Sequence, residues 1–428
     1  MVVSAKTTEE ISSLNNPIVS VLDDENDGDL SVDDISLREA VLYGNDGDTI
    51  TFDPSLRNGT VLLTLGGISI DKNLTIQGFV DGALTIDGNN TSRVFNINDR
   101  TKQTLDVTLE NLTITGGNAG NQKGGGIRNL ENLIINKSVI INNYAKNGGG
   151  IYNDSSGKND SKIVINDSLI SGNSAELTGG GIGLYSDSLS FDDPDTLILN
   201  DSIISSNKTN YGGGIYTSLA PININNTSIE QNEAQYSGGG IYNDANTTIT
   251  DSTIKENQAQ SGGGIDSSIF IDIKNSTINN NQADIGGGIN VSGFEGNATI
   301  INSTISGNAA AIKGGGIYKD TEYDVATVTN STIADNSSPD GGGIKTKGSN
   351  QLILTSNVVA DNKDHNDVDG AGILSGGNNL IGNGDGAPAF INLVDGDLVG
   401  TANEPIDPQL GELKDSGGLT FTHALLPE

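Results

Sequence analysis

"DSTIKENQAQSGGGI" occupies residues 251–265. It holds an isoleucine, Ile254, an asparagine three residues on, Asn257, and three glycines closed by a second isoleucine, Ile265. Glycine is the residue most costly to order, so a triplet needs a physical reason. Repetition supplies it. The tetrapeptide GGGI occurs nine times, ending at Ile127, Ile151, Ile182, Ile215, Ile241, Ile265, Ile289, Ile317 and Ile344. The steps between them are 24, 31, 33, 26, 24, 24, 28 and 27 residues, so the shortest step is the unit and the longer ones carry insertions.

The upstream half recurs as well, in "NSTINNNQA" (275–283), "NSTISGNAA" (302–310) and "NSTIADNSS" (330–338). Its asparagines fall at Asn143, Asn173, Asn207, Asn232, Asn257, Asn281, Asn308, Asn336 and Asn362. No unit has ten residues with apolar spacing i, i+3, i+4, and Gly and Asn would interrupt a helix. "TLILNDSII" (196–204) and "ATIINSTI" (298–305) alternate as half-buried strands do. A period of about two dozen residues with several short strands fits one coil of a parallel β-helix. The fold class read here is all-β, a right-handed parallel β-helix of about a dozen coils, the hand following the crossover rule. Strand spacing makes it a rod on the order of 50–60 Å long.

Stacking explains the composition of the unit. The GGGI isoleucines form one interior column, and Ile140, Ile170, Ile204, Ile229, Ile254, Ile278, Ile305 and Ile333 form another. The asparagines are expected to form an amide ladder at a tight turn, in the left-handed conformation that Asn tolerates. The glycines allow positive φ and close backbone approach. A phosphate cradle does not fit, because nothing resembles GxxxxGK[ST].

Hydrophobic residues make up 34% of the 428, with no Trp, which is poor for a globular core but enough for a narrow coil interior. The net charge is −33, from 22 basic and 55 acidic residues. That balance argues against nucleic acid and against an anionic membrane surface, and no stretch approaches 18 apolar residues, so no membrane insertion is expected. It leaves a solvated surface suited to saline or extracellular surroundings, calcium binding, or both. There is no cysteine, hence no disulfide or thiolate chemistry. The first residues, "MVVSAKTTEEISSLNN", have no apolar signal core.

Residues 33–43, "DDISLREAVLY", are the one convincing helix. Ser36 and Glu39 have capping-box spacing, and Leu37, Ala40 and Val41 share a face. Such a helix is a natural lid for the open end of a solenoid. "ISLREAV" resembles the CSLREA motif at the start of bacterial, often cyanobacterial, surface β-helix proteins. Ile35 and Leu30 stand where that motif carries cysteines, so an apolar contact is expected to replace the pair. "NNLIG" (378–382) and "DPQLGELKDSGGLTFTHALLPE" (407–428) resemble the C-terminal pattern of the choice-of-anchor Q type. The GGGI units resemble polymorphic outer membrane protein repeats, with Ile mostly in place of Phe. Together these resemblances imply an extracellular or cell-surface β-helix; the families have few assigned activities. In them the chain continues past THALLP, so the resemblance implies that the last residues here are an incomplete C-terminal segment.

The organisation read from this is 1–48, an N-terminal strand, acidic loop and capping helix; 49–118, early irregular coils; 119–362, regular GGGI coils; and 363–428, final coils and the incomplete segment. Three places could carry chemistry. In "DDENDGDLSVDD" (23–34), Asp23, Glu25, Asp27, Gly28 and Asp34 fit positions 1, 3, 5, 6 and 12 of a calcium loop, although no helix precedes it. Asp192, Asp193 and Asp195 are crowded in an inserted loop and could chelate a hard cation such as Ca2+. For both, the competing reading is a plain acidic loop. The third place is the edge after each GGGI, where Asp154, Asp187, Asp244, Asp266 and Asp320 lie near equivalent positions. Asp244 and Asp266, on adjacent coils, are candidate catalytic carboxylates for glycoside chemistry if they point the same way. Tyr152, Tyr185, Tyr216, Tyr242 and Tyr318 follow GGGI and offer stacking surfaces or are partly buried at a coil corner. His365 lies among carboxylates, and His423 reads as structural. An enzyme needs one convergent cluster, whereas a scaffold shows repeated columns, and columns dominate. The sequence therefore reads as a non-catalytic structural or adhesive module contacting glycans or matrix, with end-to-end self-association open. The alternative is a carbohydrate-active β-helix enzyme acting on an acidic polysaccharide.

Overall fold

The computed structural model describes residues 13–101, 104–154, 161–186, 197–293, 296–321, 325–348 and 351–427. One coil shows how the repeat folds. Ile222–Asn225 is a strand, Asn226 turns the chain at φ 43, and Ser228–Glu230 is a second strand. Asn232 makes the next corner, Glu233–Ser237 is a short ribbon, and Gly238 turns the chain at φ 66 into the strand Ile241–Asp244. Each segment pairs in parallel with its equivalent one coil away, for example Ile241 with Ile265 and Ile229 with Ile254. Three long sheets result. The first has fourteen strands between Ile18–Val19 and Ile373–Ser375, the second fourteen between Thr60–Leu62 and Leu398–Val399, and the third twelve between Ile68–Ile70 and Val368–Asp369. The molecule is a right-handed parallel β-helix of about twelve turns.

Both isoleucine columns stack in register as the period requires. No member of either column is more than 2% exposed. Burying each such side chain is worth roughly 1.5–3 kcal/mol, which offsets the ordering of the glycines. The third glycine shows why no side chain fits: a Cβ on Gly240 would lie 2.7 Å from the carbonyl oxygen of Gly264.

The asparagine ladder is continuous from Asn143 to Asn362. Asn257 donates its backbone N–H (2.9 Å) and its Nδ2 (3.0 Å) to Oδ1 of Asn281, and Nδ2 also reaches the Ile229 carbonyl at 2.9 Å. The expected left-handed conformation falls elsewhere. It belongs to the residue just before the ladder position, as in Asn142, Ser206, Gln231, Glu256 and Asn280. The ladder residue itself is held by its amide, so its backbone need not be strained. A second ladder, not anticipated from the sequence, runs through the Ser/Thr of the NDS/NST motif, for instance Ser252 N to Ser276 Oγ at 3.2 Å and Ser276 N to Ser303 Oγ at 3.2 Å. It passes into Asn357 and Asn379 and ends on Asp397, while the first ladder ends on Asp367. A carboxylate accepts without needing to donate, so it terminates a one-directional chain of amide donors.

The helix Leu37–Tyr43 forms with its full capping box, Ser36 to Glu39, and buries Leu37, Ala40 and Val41. Ile35 joins the core, whereas Leu30 is only partly buried. At the other end the chain leaves the solenoid after Leu398–Val399. Leu410–Lys414 and Thr422–Leu425 then form an antiparallel hairpin that folds back along the second sheet. Thr277 Oγ1 donates to the Phe421 carbonyl at 2.7 Å, and Ser306 Oγ lies 2.8 Å from His423 Nε2. Among the described residues no helix is long and apolar enough to cross a membrane.

Candidate functional site

The third sheet presents the residue after each GGGI to the outside, because side chains alternate along a strand and the isoleucine points in. Register places Arg128, Tyr152, Gly183, Tyr216, Tyr242 and Asp266 in one outward column. Asn290, Tyr318 and Lys345 continue it. Two residues further along each strand, Asp154, Tyr185, Ser218 and Asp244 form a parallel column. The grouping of Asp266 with Asp154 and Asp244 is thus corrected. Asp266 pairs with Tyr242, and the residue opposite Asp244 is Ser268, whose Oγ donates to Asp244 Oδ1 at 3.0 Å. Asp244 and Asp266 still share the outer face, set diagonally on either side of Tyr242.

The tyrosines divide into two kinds. Tyr152 and Tyr318 are 4% and 2% exposed and offer no stacking face. Lys123 Nζ lies 4.5 Å from the Tyr152 ring centre, and Lys313 Nζ 4.3 Å from that of Tyr318. Tyr216 and Tyr242 stack with centroids 5.1 Å apart and planes 7° from parallel. Tyr211 and Tyr236, which the sequence reading passed over, join them at 5.2 Å from each other, and Tyr211 meets Tyr242 edge-on at 6.0 Å. Tyr211 and Tyr236 precede the glycine triplets, at the ribbon edge, and are 38% and 39% exposed. Four rings from two adjacent coils therefore form one aromatic platform, with Tyr185 exposed one coil away.

The carboxylate beside this platform is buried. Asp266 is 6% exposed; burial pushes its pKa up, against hydrogen bonds from Ser261, Ser237, Asn290 and Ser292. Asn290 donates Nδ2 to Asp266 Oδ1 at 3.1 Å and to Ser261 Oγ at 2.8 Å, while its own buried Oδ1 has no hydrogen-bond partner. Burial and the charges of Asp244 and Asp266 push the Tyr242 phenol up to about 12. The phenol therefore stays protonated at neutral pH and keeps its O–H as a donor.

The acidic loop has a different part. Ser36 Oγ donates to the Glu25 carbonyl at 2.9 Å, and Gly28 N donates to Glu39 Oε1 at 3.2 Å, so the loop is tied to the capping helix. Asp24, outside the calcium-loop positions, makes the strong contacts: an ion pair with Arg38 at 2.7 Å, and acceptance from Thr64 N and Leu65 N at 2.7 Å each. Slight burial and the charges of Asp34, Asp27, Glu39 and Asp23 push Glu25 up. Among the described residues no three His, Asp or Glu side chains form a group that could hold a metal ion. Asp23, Glu25, Asp27 and Asp34 lie close enough in this loop for the charges of the three aspartates to act on Glu25. Asp192, Asp193, Asp195 and Asp187 lie outside the described residues. His365 Nδ1 is 3.3 Å from Asp369 Oδ2 and lines a groove of about 620 Å³ beside the hairpin, with Asp335, Asp361, Lys363 and Asp367. His423 Nδ1 lies 2.6 Å from the Gly411 carbonyl and pins the hairpin.

No family model matches this chain, and no curated protein matches it. Among solved structures it is similar to the crystal structure of pectate lyase Pel9A, with 15% identity and a TM-score of 0.42 over 85% of this chain and 79% of that one. At that level no functional argument rests on the likeness.

Proposed function

We propose that the protein is an extracellular or cell-surface glycan-binding β-helix module that holds a sugar chain along its third sheet without cleaving it. The observation that carries this reading is the platform of Tyr211, Tyr216, Tyr236 and Tyr242 on an outer face otherwise lined by polar and charged side chains. Aromatic rings with polar rims present an apolar body and a hydrogen-bonding tip together, which suits a sugar ring with its hydroxyls. The long, strongly acidic rod suits a display or adhesive role, with matrix glycans as partners.

One observation favours a second reading, a carbohydrate-active enzyme. Asp266 is a buried carboxyl with a raised pKa beside the platform, and Asp244 lies on the same face. Raised carboxyls in such settings serve as general acids. A single experiment separates the two. Neutral and uronate-containing oligosaccharides are titrated into the protein by calorimetry while reducing ends and unsaturated-uronate absorbance are followed. We expect binding without turnover, weakened about tenfold or more by Tyr216→Ala or Tyr242→Ala. Turnover that vanishes in Asp244→Asn or Asp266→Asn would establish the enzyme instead.

A further inference from the structure

In a chain with 55 acidic and 22 basic residues, cations should find carboxylates easily. Along the third sheet most do. Lys123 pairs with Asp154 at 3.3 Å, Lys345 with Asp340 at 2.6 Å and Asp369 at 3.0 Å, and Lys347 with Asp320 at 2.9 Å. Two arginines at the N-terminal end of the same face do not. Arg93 Nη1 and Arg128 Nη1 both approach the single oxygen Asn96 Oδ1, at 3.4 and 3.0 Å, and Arg93 Nη2 donates to Gln122 Oε1 at 2.6 Å. Every acceptor named is neutral, and no ion pair joins either arginine to a described carboxylate.

That arrangement is costly as it stands. Two like charges share one amide oxygen, and both side chains are only partly exposed. Burial and the neighbouring Arg128 charge push the Arg93 pKa down. A guanidinium carries five donors in a fixed fork that matches a carboxylate, and here most of those donors are not used by the contacts above. The position is equally telling. Asn96 pairs in register with Arg128, and Arg128 with Tyr152, so Arg128 lies in the outward column that leads to the tyrosines, and Arg93 reaches that column through Asn96. Arg128 and Tyr216 are three coils apart, about 14 Å at the spacing of neighbouring strands.

We infer that Arg93 and Arg128 form an anion site that takes the carboxylate of an acidic sugar, at one end of the surface whose tyrosines stack the rest of the chain. This rests on the glycan-binding reading for the identity of the ligand, but the anion site itself can be tested alone. It also gives an acidic rod one place where a polyanion is welcome.

The probes are galacturonate, galactose and sulfate, each read by the shift in melting temperature and by calorimetry at low and high salt. The intact protein is compared with Arg93→Gln, Arg128→Gln and Asn96→Asp. The last variant puts a carboxylate between the two guanidinium groups and so fills the site without removing either. We expect galacturonate to raise the melting temperature of the intact protein, galactose to leave it unchanged, and both glutamine variants to lose the response. Asn96→Asp should melt higher than the intact protein and also lose it. Uronate oligosaccharides should bind tenfold or more weakly to the glutamine variants, while neutral oligosaccharides bind as before. A galacturonate response that persists in Asn96→Asp would overturn the site, and one that sulfate reproduces in full would overturn its assignment to a sugar carboxylate. If the tyrosine variants lose glycan binding and the arginine variants do not, this inference fails and the function stands. If the arginine variants lose galacturonate and the tyrosine variants lose nothing, the reverse holds.

Discussion

At the scale of single residues, the interior is specified by position within the repeat. The ladder asparagines show what each contributes. Asn281 is fully buried, accepts two hydrogen bonds from Asn257, and donates to Asn308 and to the Ile254 carbonyl. Replacing it with alanine leaves the buried Asn257 N–H without its acceptor and takes the amide donor from the Ile254 carbonyl, while the N–H of residue 281 still reaches Asn308 Oδ1. At about 1–3 kcal/mol for each unsatisfied group, Asn281→Ala should cost about 2–4 kcal/mol in urea unfolding. Asn302→Ala, at an exposed turn with φ 50, should cost about 1 kcal/mol or less. Equal losses at the two sites would contradict the ladder's role. The ladder was legible because its asparagines recur at the structural period. Its conformation was misread because left-handed backbone is a common use of Asn, whereas here the buried amide is what matters. Asp266 could have been placed correctly by counting from its isoleucine: it follows Ile265 as Tyr242 follows Ile241. Tyr211 and Tyr236 carried a weaker signal, since one directly precedes its glycines and the other is separated from them by Ser237.

At the scale of elements, the capping helix was legible because both halves of its capping box and its apolar face lie within eight residues. What secures it to the solenoid was not. Asp24 joins the helix, through Arg38, to the chain at Thr64 and Leu65, and only the fold brings these together. Burial opposes its ionisation, but the Arg38 contact and two backbone N–H groups outweigh that, so its pKa falls below the ordinary 3.8. A carboxylate with a depressed folded pKa adds stability above its unfolded value and loses it as pH falls through the folded value. Asp24→Asn should therefore lower stability by about 2–4 kcal/mol at pH 7, the range for breaking a buried ion pair being about 3–5 kcal/mol. The gap between mutant and intact protein should close below about pH 4, as thermal melts across pH would show. A gap that stays constant down to pH 2 would mean that the charge of Asp24 is not what holds the helix. The C-terminal hairpin was equally hidden. Its anchor points on the second sheet lie 117 to 145 residues earlier in sequence, beyond the reach of any local pattern.

At the scale of the whole molecule, a solenoid is legible from sequence because each coil touches little besides its neighbours, so one period describes nearly all of the packing. Function is written differently. The tyrosine platform and the arginine pair are departures from the period, each formed by residues that differ from their counterparts in other coils. Composition argued against nucleic acid and pointed to a solvated surface, but it could not say which of three long faces a ligand would meet. We propose that the ligand lies along the third sheet. Hydrogen–deuterium exchange with and without a saturating uronate oligosaccharide tests it most directly. We expect added protection in the turns and strands around Gln122–Arg128, Tyr211–Tyr216 and Tyr236–Asp244, with the second sheet and the C-terminal hairpin unchanged. Protection confined to the first or second sheet, or to the groove around His365, would contradict it.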